Sequence, residues 1–483
     1  MSISSALNSA MSGLTAAGRS SSIVSENLAN AMTPGYARRS LLLSSNGQAG
    51  PGVQVTGVQR HSDPGILANR RMADAEYGMA STLAGFHTRF EALVGTSTDA
   101  SSINARLAEF ESSLISAASR PDSVQRLDIV AVRADGLAQA INDASEGVRS
   151  MRTQADHAIG TQVDRLNQAL ENVQELNTRI TATKSSGGNM AALLDQRQML
   201  IDEINTIVPV NVVPRDHEQV ALYTNGGAIL LDGPAATLSF TVTPNTMPQM
   251  NIQDGTLSGL EINGVPVRTG GQNGAMPGGK LAAQFKIRDE LAVSAQEDLD
   301  VVARDLIERF EDTTLDTTLA PGDPGLFTDR GAVFDASQQV GLARRLRLNT
   351  AVDPAVGGES WRLRAGLGAA APGEPGDSRL LQALEQILSD PRIVTSDSLG
   401  TGQMTAAGVG ASLLSRAGQN RHLSDEALSF SSASQSEMTQ IELAQGVDTD
   451  AELQALMVIE QAYAANARMI EAADDMMQTL LRL

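Results

Sequence analysis

Catalysis or metal binding requires polar side chains of suitable types at workable spacings, and this chain offers few. Its five histidines, His61, His87, His157, His217 and His422, are scattered. None falls in the HxxxH or HxxEH spacing that sets two ligands on one helical face around zinc, so they read as surface or partly buried histidines. There is no cysteine, which excludes disulfides and thiolate metal ligands. GxSxG, SxxK and P-loop patterns are absent. Gly366-x-Gly368-x-x-Ala371 imitates part of a dinucleotide fingerprint, but Pro372-Gly373 follows it, so no helix N-terminus would meet a phosphate. Carboxylate pairs such as Asp448/Asp450 and Asp474-Asp475 read as helix N-termini and solvated helix faces. No catalytic residue, cofactor or metal is expected.

The spacing that does carry information is apolar. Near the N-terminus, Ile3, Leu7, Ala10, Leu14, Ala17, Ser21, Val24 and Leu28 follow alternating steps of four and three. Near the C-terminus, Leu456, Ile459, Tyr463, Asn466, Ile470, Ala473, Met477 and Leu480 do the same. Such a repeat keeps one stripe of a helix facing a partner, as in a coiled-coil seam. Ser21 and Asn466 interrupt the stripes, so each helix is expected to be weak alone. Complementary seams at opposite chain ends imply that the termini pair with each other, with other subunits, or both. That chemistry is assembly.

The elements that must position these seams follow from composition and patterning. At 483 residues the chain is long enough for several domains, and Lys plus Arg total 36 against 56 Asp plus Glu, a net charge of −20. So acidic a chain is not expected to bind nucleic acid, since phosphate contacts need clustered cations, and Arg344, Arg345 and Arg347 are too few. Aromatics make up only 3%, with the single tryptophan Trp361, so the cores must be aliphatic and alanine-rich. The first residues do not read as a secretory signal and no apolar run approaches the ~18 residues of a membrane span. No membrane insertion is expected.

Along the chain, Pro34-Gly35 should end the first helix, and residues 40–44 and 53–58 read as short strands separated by the turn signals Asn46-Gly47 and Gly50-Pro51-Gly52. Helical periodicity then runs from Ile66 to Ile207, with breaks at Gly95–Asp99 and at Arg120-Pro121-Asp122, Pro121 being placed in the first turn of the next helix. The stretch Val124–Thr183 predicts one helix of roughly 60 residues, about 90 Å long. From Val208 the period changes to two, with Asn263-Gly264 as a hairpin turn and a glycine-rich linker from Gly270-Gly271 to Gly278-Gly279. Helix resumes over Leu281–Glu311, a Pro/Gly-rich mixed segment follows, and helices return before a cap at Asp448 or Thr449. The expected fold is mainly α with inserted β domains. Residues 1–33 and 447–483 form a terminal coiled-coil inner domain, and residues 34–207, 280–318 and 380–446 a helical stalk. Residues 208–279 form an outer β domain, and 319–379 a second mixed insertion that can pack with it.

Local motifs add a resemblance. Ser12-Gly13-Leu14-Thr15-Ala16-Ala17, then Asn27-Leu28-Ala29-Asn30-Ala31-Met32-Thr33-Pro34-Gly35-Tyr36, is similar to the SGL-x-A and N-I-A-N-x-x-T-x-G-Y motifs of bacterial flagellar rod, hook and hook-associated proteins. Tyr36-Ala37-Arg38 narrows the likeness toward the hook-associated protein 1 branch. At the other end, Gly446-Val447-Asp448 and Glu460-Gln461-Ala462-Tyr463-Ala464-Ala465-Asn466-Ala467-Arg468 resemble the family's G-V-N and Q-Q-A-Y-x-A-N-A-K blocks, although Asp448-Thr449-Asp450 departs from its usual N-L-D-E. Leu193–Val213 and Gly278-Gly279-Lys280-Leu281 also look like family stretches, whereas 319–378 adds little. Physically, Ser12, Gly13, Ala16 and Ala17 allow close helix approach, and Asn27 and Asn30 can bond backbone where the helix ends.

The resemblance implies a structural subunit of the flagellum, outside the cell, exported by the flagellar type III apparatus without a cleaved signal. Its implied partners are the hook protein, hook-associated protein 3, further copies of itself in a ring, and an export chaperone holding the C-terminal region. Alternatives left open by the residues are a hook or distal-rod subunit, and a secreted enzyme or adhesin carried on a flagellar export signal.

Overall fold

The computed structural model describes residues 3–45, 52–269, 274–396 and 398–482. The turn signals at Asn46-Gly47 and Gly50-Pro51, and the Gly270-Gly271 start of the linker, lie outside the described residues. The architecture is mainly helical with small antiparallel sheets inserted between helices. Helix α1 (Ile3–Ala29) leads into a hairpin of β1 (Arg39–Ser45) and β2 (Val53–Arg60). Four stalk helices follow: α2 (Pro64–Val94), α3 (Ile103–Ser119), α4 (Val124–Ser185) and α5 (Ala191–Ile207). Their starts are chemically marked. Asp63 accepts from the amides of Gly65 and Ile66 ahead of α2, with Pro64 in the first turn, and Ser102 accepts from Ala105 ahead of α3. Pro121 sits in the turn before α4, not within its first turn as the sequence suggests, since that helix begins at Val124.

Two three-stranded sheets come next. One contains β3 (Val210–Pro214), β4 (Val220–Thr224) and β5 (Ile229–Leu231), and the other β6 (Leu238–Ser239), β7 (Leu260–Ile262) and β8 (Val265–Val267). Asn263 and Gly264 turn β7 into β8 with φ of 52° and 78°, the left-handed pair that a two-residue hairpin demands. Helices α6 (Gly279–Lys286) and α7 (Ala292–Phe310) are joined by a π-helical turn at Ile287–Leu291. The mixed segment carries β9 (Phe327–Asp329), α8 (Leu342–Arg345), β10 (Leu346–Leu348) and α9 (Arg362–Ala365). Then come α10 (Arg379–Ser389), the hairpin of β11 (Arg392–Ser396) and β12 (Gly400–Met404), α11 (Ala406–Ala444) and α12 (Thr449–Leu481).

Two cores share the 62-residue α4. The first buries Leu127, Leu137, Ile141 and Val148 of α4 against α3, α7, α10, the start of α11 and the mixed segment. The second buries Ile159, Val163, Leu166, Leu170 and Val173 of the same helix against α5, α6 and both sheets. A polar layer divides them. Arg288, at the π-helical turn and 0% exposed, pairs with Asp156 at 2.8 Å and lies over the rings of Phe240 and Phe285, while Arg152 donates to the carbonyl of Arg288 at 2.8 Å.

This arrangement bears on both expected insertions. The apolar residues of 208–279 share one core with α4, α5 and α6. Strands of two to five residues cannot cover their own apolar faces, so they close on α4. Residues 319–379 join the first core through Leu326, Phe327, Leu346 and Leu363 and 208–279 the second, and the two segments touch where Gly341 packs on Pro248 and Arg344 lies beside Met247.

Candidate assembly interface

α1 and α12 pack side by side. They run antiparallel, because Gly13 lies against Asn466 while Asn27 lies against Glu452. On α1 the buried positions are Ala10, Ala16, Ala17, Ile23, Val24 and Asn27, with Ile3, Leu7, Leu14 and Ser21 half-buried. Leu28 is exposed in the single chain, and Asn27 beside it is buried. On α12, Leu456, Ile459, Asn466 and Ile470 are half-buried and Ala473 is buried, while Tyr463, Met477 and Leu480 are exposed in the single chain.

The two end motifs meet inside this seam. A Cβ on Gly13 would fall 2.8 Å from the Asn466 side chain, so glycine there gives that amide its space. Asn466 also donates to the carbonyl of Ala462 at 2.9 Å, which holds its orientation. Gln461 and Ala462 themselves are exposed on α12.

Asn27 is the most heavily used group in the region. Fully buried, it accepts from the Arg39 amide at 3.0 Å and donates to the Arg39 carbonyl at 2.9 Å, clamping both backbone groups of one residue. The Tyr36 hydroxyl donates to its oxygen at 2.8 Å, and its amide nitrogen donates to Glu452 at 3.1 Å. Glu452, 1% exposed, also accepts from Arg38 Nε at 2.7 Å. Burial holds the Tyr36 hydroxyl above its ordinary pKa, so it stays a donor. Asn30 and Thr33 close α1: Asn30 donates to the Glu26 carbonyl at 2.9 Å and accepts from Thr33 at 3.3 Å. Pro34 is exposed, and Gly35 takes φ 77° against α5, where a Cβ would strike Met199. Ser12 accepts from the Val53 amide at 3.1 Å and fastens the far end of the hairpin to α1.

Toward the stalk the fastening is ionic. Arg39 and Arg60, partners across the hairpin, donate to the two oxygens of Asp195 on α5 at 2.6 and 2.7 Å. Deeper, Arg70 joins Asp74, Asp202 and Glu442, and Arg71 joins Asp202, so α2, α5 and α11 are tied together. The sequence patterns do not flag Glu452, Arg39, Arg60 or Asp195. One signal was present: Glu452 lies four residues before Leu456, a charge on the apolar stripe.

The chemically suggestive residues stay apart. Ser40 Oγ lies 2.7 Å from His61 Nε2, His87 packs edge-on against Phe86, and His422 pairs with Glu426 on an exposed face. Gly366 and Gly368 pack on Thr318 and serve a turn after α9. Arg344, Arg345 and Arg347 pair with Glu146, Asp329 and Asn142. Among the described residues no group of three or more His, Cys, Asp or Glu is arranged to hold a metal, and no helix is long and apolar enough to cross a membrane.

Comparison with known proteins bears on what this geometry is for. Residues 88–326 match the family model of the flagellar hook-associated protein FlgK helical domain. Residues 7–36 match that of the flagella basal body rod protein, and residues 444–483 that of the flagellar basal body rod FlgEFG protein C-terminal region. The chain is 28% identical over 286 residues to flagellar hook-associated protein 1 of Escherichia coli (strain K12), covering 57% of this chain and 52% of that one. Its identity to the Salmonella typhimurium protein of the same name is 30% over 247 residues, covering 48% and 44%. The solved flagellar hook junction protein FlgK from Burkholderia pseudomallei superposes with a TM-score of 0.42 at 17% identity, covering 55% of this chain and 46% of that one. Rod-type segments at both ends, paired in space, define a flagellar axial protein. The intervening helical-domain match and the curated relatives liken the chain to the flagellar hook-associated protein 1 family. It spans about half the length of the curated relatives it matches.

Proposed function

We propose that the chain is a structural subunit of the hook–filament junction, joining hook to filament by polymerising through its terminal helices. The observation that carries this is the α1–α12 pair, in which the motifs of both chain ends interlock at Gly13 and Asn466 while much of α12 is left bare. Leu453, Met457, Val458, Met469, Met476 and Leu480 are all exposed there. Apolar side chains left open on a helix that already has one partner suit further partners. The proposed partners are neighbouring copies in a ring, the hook protein below and hook-associated protein 3 above. Before assembly an export chaperone would cover the C-terminal region, and the flagellar type III apparatus would carry the chain to a location outside the cell. No catalytic step is assigned. Deletion of the gene tests the reading: cells should keep complete hooks, lack attached filaments and shed flagellin into the medium. Hookless cells would point to a hook or rod role, and swimming cells with intact filaments would refute the axial assignment.

A further inference from the structure

The paired terminal helices and the hairpin are held to one another differently from the way they are held to the stalk. Within the group the contacts are buried and multiply bonded. Asn27 grips the Arg39 backbone on both sides, Glu452 closes on Asn27 and Arg38, and Ser12 holds the start of β2. A Cβ on Gly52 would come within 2.5 Å of Ser12 Oγ, so hairpin and helix touch there without a gap. The Asn27 and Glu452 side chains lie 0% and 1% exposed, and a buried polar group with its partners satisfied specifies one geometry.

The link to the stalk is thinner. Two covalent crossings carry it, residues 61–63 between β2 and α2 and residues 445–448 between α11 and α12, and both are poorly covered: Ser62, Asp63 and Gln445 are exposed. The principal noncovalent link is the clasp of Arg39 and Arg60 on Asp195. The two arginines face each other in hairpin register, so one carboxylate bears the base of both strands. An ion pair of this kind fixes direction more than it adds net stability, and it can reform after small rotations where packed apolar surface cannot. Beside the clasp lies an open cleft of about 470 Å³, walled by Arg38, Gln59 and His61 on one side and by Pro64, Glu442 and Gln445 on the other. The stalk wall is itself immobilised by Arg70 through Asp74, Asp202 and Glu442.

We infer that α1, β1, β2 and α12 form one rigid body that rocks on the stalk about Asp195, opening and closing the cleft at the joint. The Asn27–Glu452–Arg38 lock keeps the body intact while the clasp sets its resting angle. This inference stands on the joint geometry alone. If the junction reading also holds, the rocking would let one subunit fit neighbours of unequal pitch.

The chain has no cysteine, so paired spin labels can be introduced without background. One pair, Glu460→Cys with Glu76→Cys, spans the joint between exposed positions of α12 and α2. A second pair, Ser44→Cys with Glu460→Cys, lies within the rocking body. Pulsed electron resonance on the free full-length chain should give a wider distance distribution for the first pair than for the second. Asp195→Asn should at least double the width of the first and leave the second unchanged. Arg60→Gln, which removes one of the two donors and keeps the carboxylate, should widen the first pair by a smaller amount; it supplies the same readout if Asp195→Asn fails to fold. A first pair that stays narrow in the variants overturns the hinge. Equal broadening of both pairs overturns the rigid body.

Discussion

Asn27 shows how one amide can decide the geometry of a chain end. It serves two backbone groups, a hydroxyl and a carboxylate, so its replacement leaves several buried groups unpaired at once. Two aspartates on α7 illustrate the opposite case, in which burial works against the charged form. Asp300 caps the start of α8, accepting from the amides of Gly341 and Ala343 at 2.7 and 2.8 Å, and Asp298 pairs with Arg416 at 2.7 Å. Desolvation outweighs these partners and pushes both carboxyls up to about 6. The sign follows. Between roughly pH 4, where unfolded aspartate titrates, and about 6, the folded chain keeps protons that the unfolded chain has released. Stability from these groups is therefore fully present below that window and is lost as pH rises through it. In Asp300→Asn the pH dependence should flatten. The amide nitrogen now faces a backbone donor, so the variant melts lower throughout, by about 1–3 kcal/mol of stability. The deficit against wild type should be largest near pH 4 and shrink toward pH 7, as thermal melts across that range would show. A constant deficit would mean that Asp300 is not the titrating group.

Helix α4 and the terminal pair put different demands on their neighbours. Leu14 and Ile470 are half-buried in the α1–α12 seam, away from both stalk cores. Leu14→Asp or Ile470→Asp strands a carboxylate between two helices at a cost of about 2 kcal/mol or more. Incorporation into flagella should be lost, while the thermal transition of the stalk, followed by circular dichroism, stays in place. Normal incorporation would show that the seam lies elsewhere. Removing residues 208–279 should do the reverse. It bares Ile159, Val163, Leu166, Leu170 and Val173 on α4, each worth about 1.5–3 kcal/mol of burial, so the variant should lose helix content and bind a hydrophobic dye. A deletion variant with unchanged helicity would restore the case for an independent β unit. The long helix was legible because its 3.6-residue periodicity runs unbroken from Val124 and stops at Ser186-Gly187-Gly188. The Asn263-Gly264 hairpin was legible for a similarly local reason. The dependence of the strands on α4 was not, because period-two patterning says that one face is buried and not what covers it. The joint was hidden more deeply: Asn27 and Glu452 are 425 residues apart, and no local pattern encodes such a bond.

On the proposed junction role, the whole molecule must assemble without running on indefinitely. A contact between unlike patches that does not close makes an open fibre, so a subunit that carries seam helices needs something to oppose stacking on itself. A net charge of −20 supplies a general repulsion between copies. Part of it sits where it matters, since Glu460, Glu471, Asp474 and Asp475 are exposed on α12 among the bare Met457, Met469 and Met476. Charge and apolar surface respond to salt in opposite ways. The reach of exposed charges falls from about 10 Å at 0.1 M to about 3 Å at 1 M, whereas apolar burial is not weakened by salts that are excluded from the surface. Purified chain near pH 7.5 should therefore scatter little light at ~0.05 M salt and progressively more as sodium sulfate is raised toward ~1 M. Asp474→Asn with Asp475→Asn should lower the salt needed, because two charges beside Met476 are gone. Ile470→Asp should abolish the rise, because the seam that presents α12 is broken. If added salt instead lowered the scattering of wild-type chain, attraction between unlike charges would be driving self-association, and the acidic face of α12 could not be what restrains it.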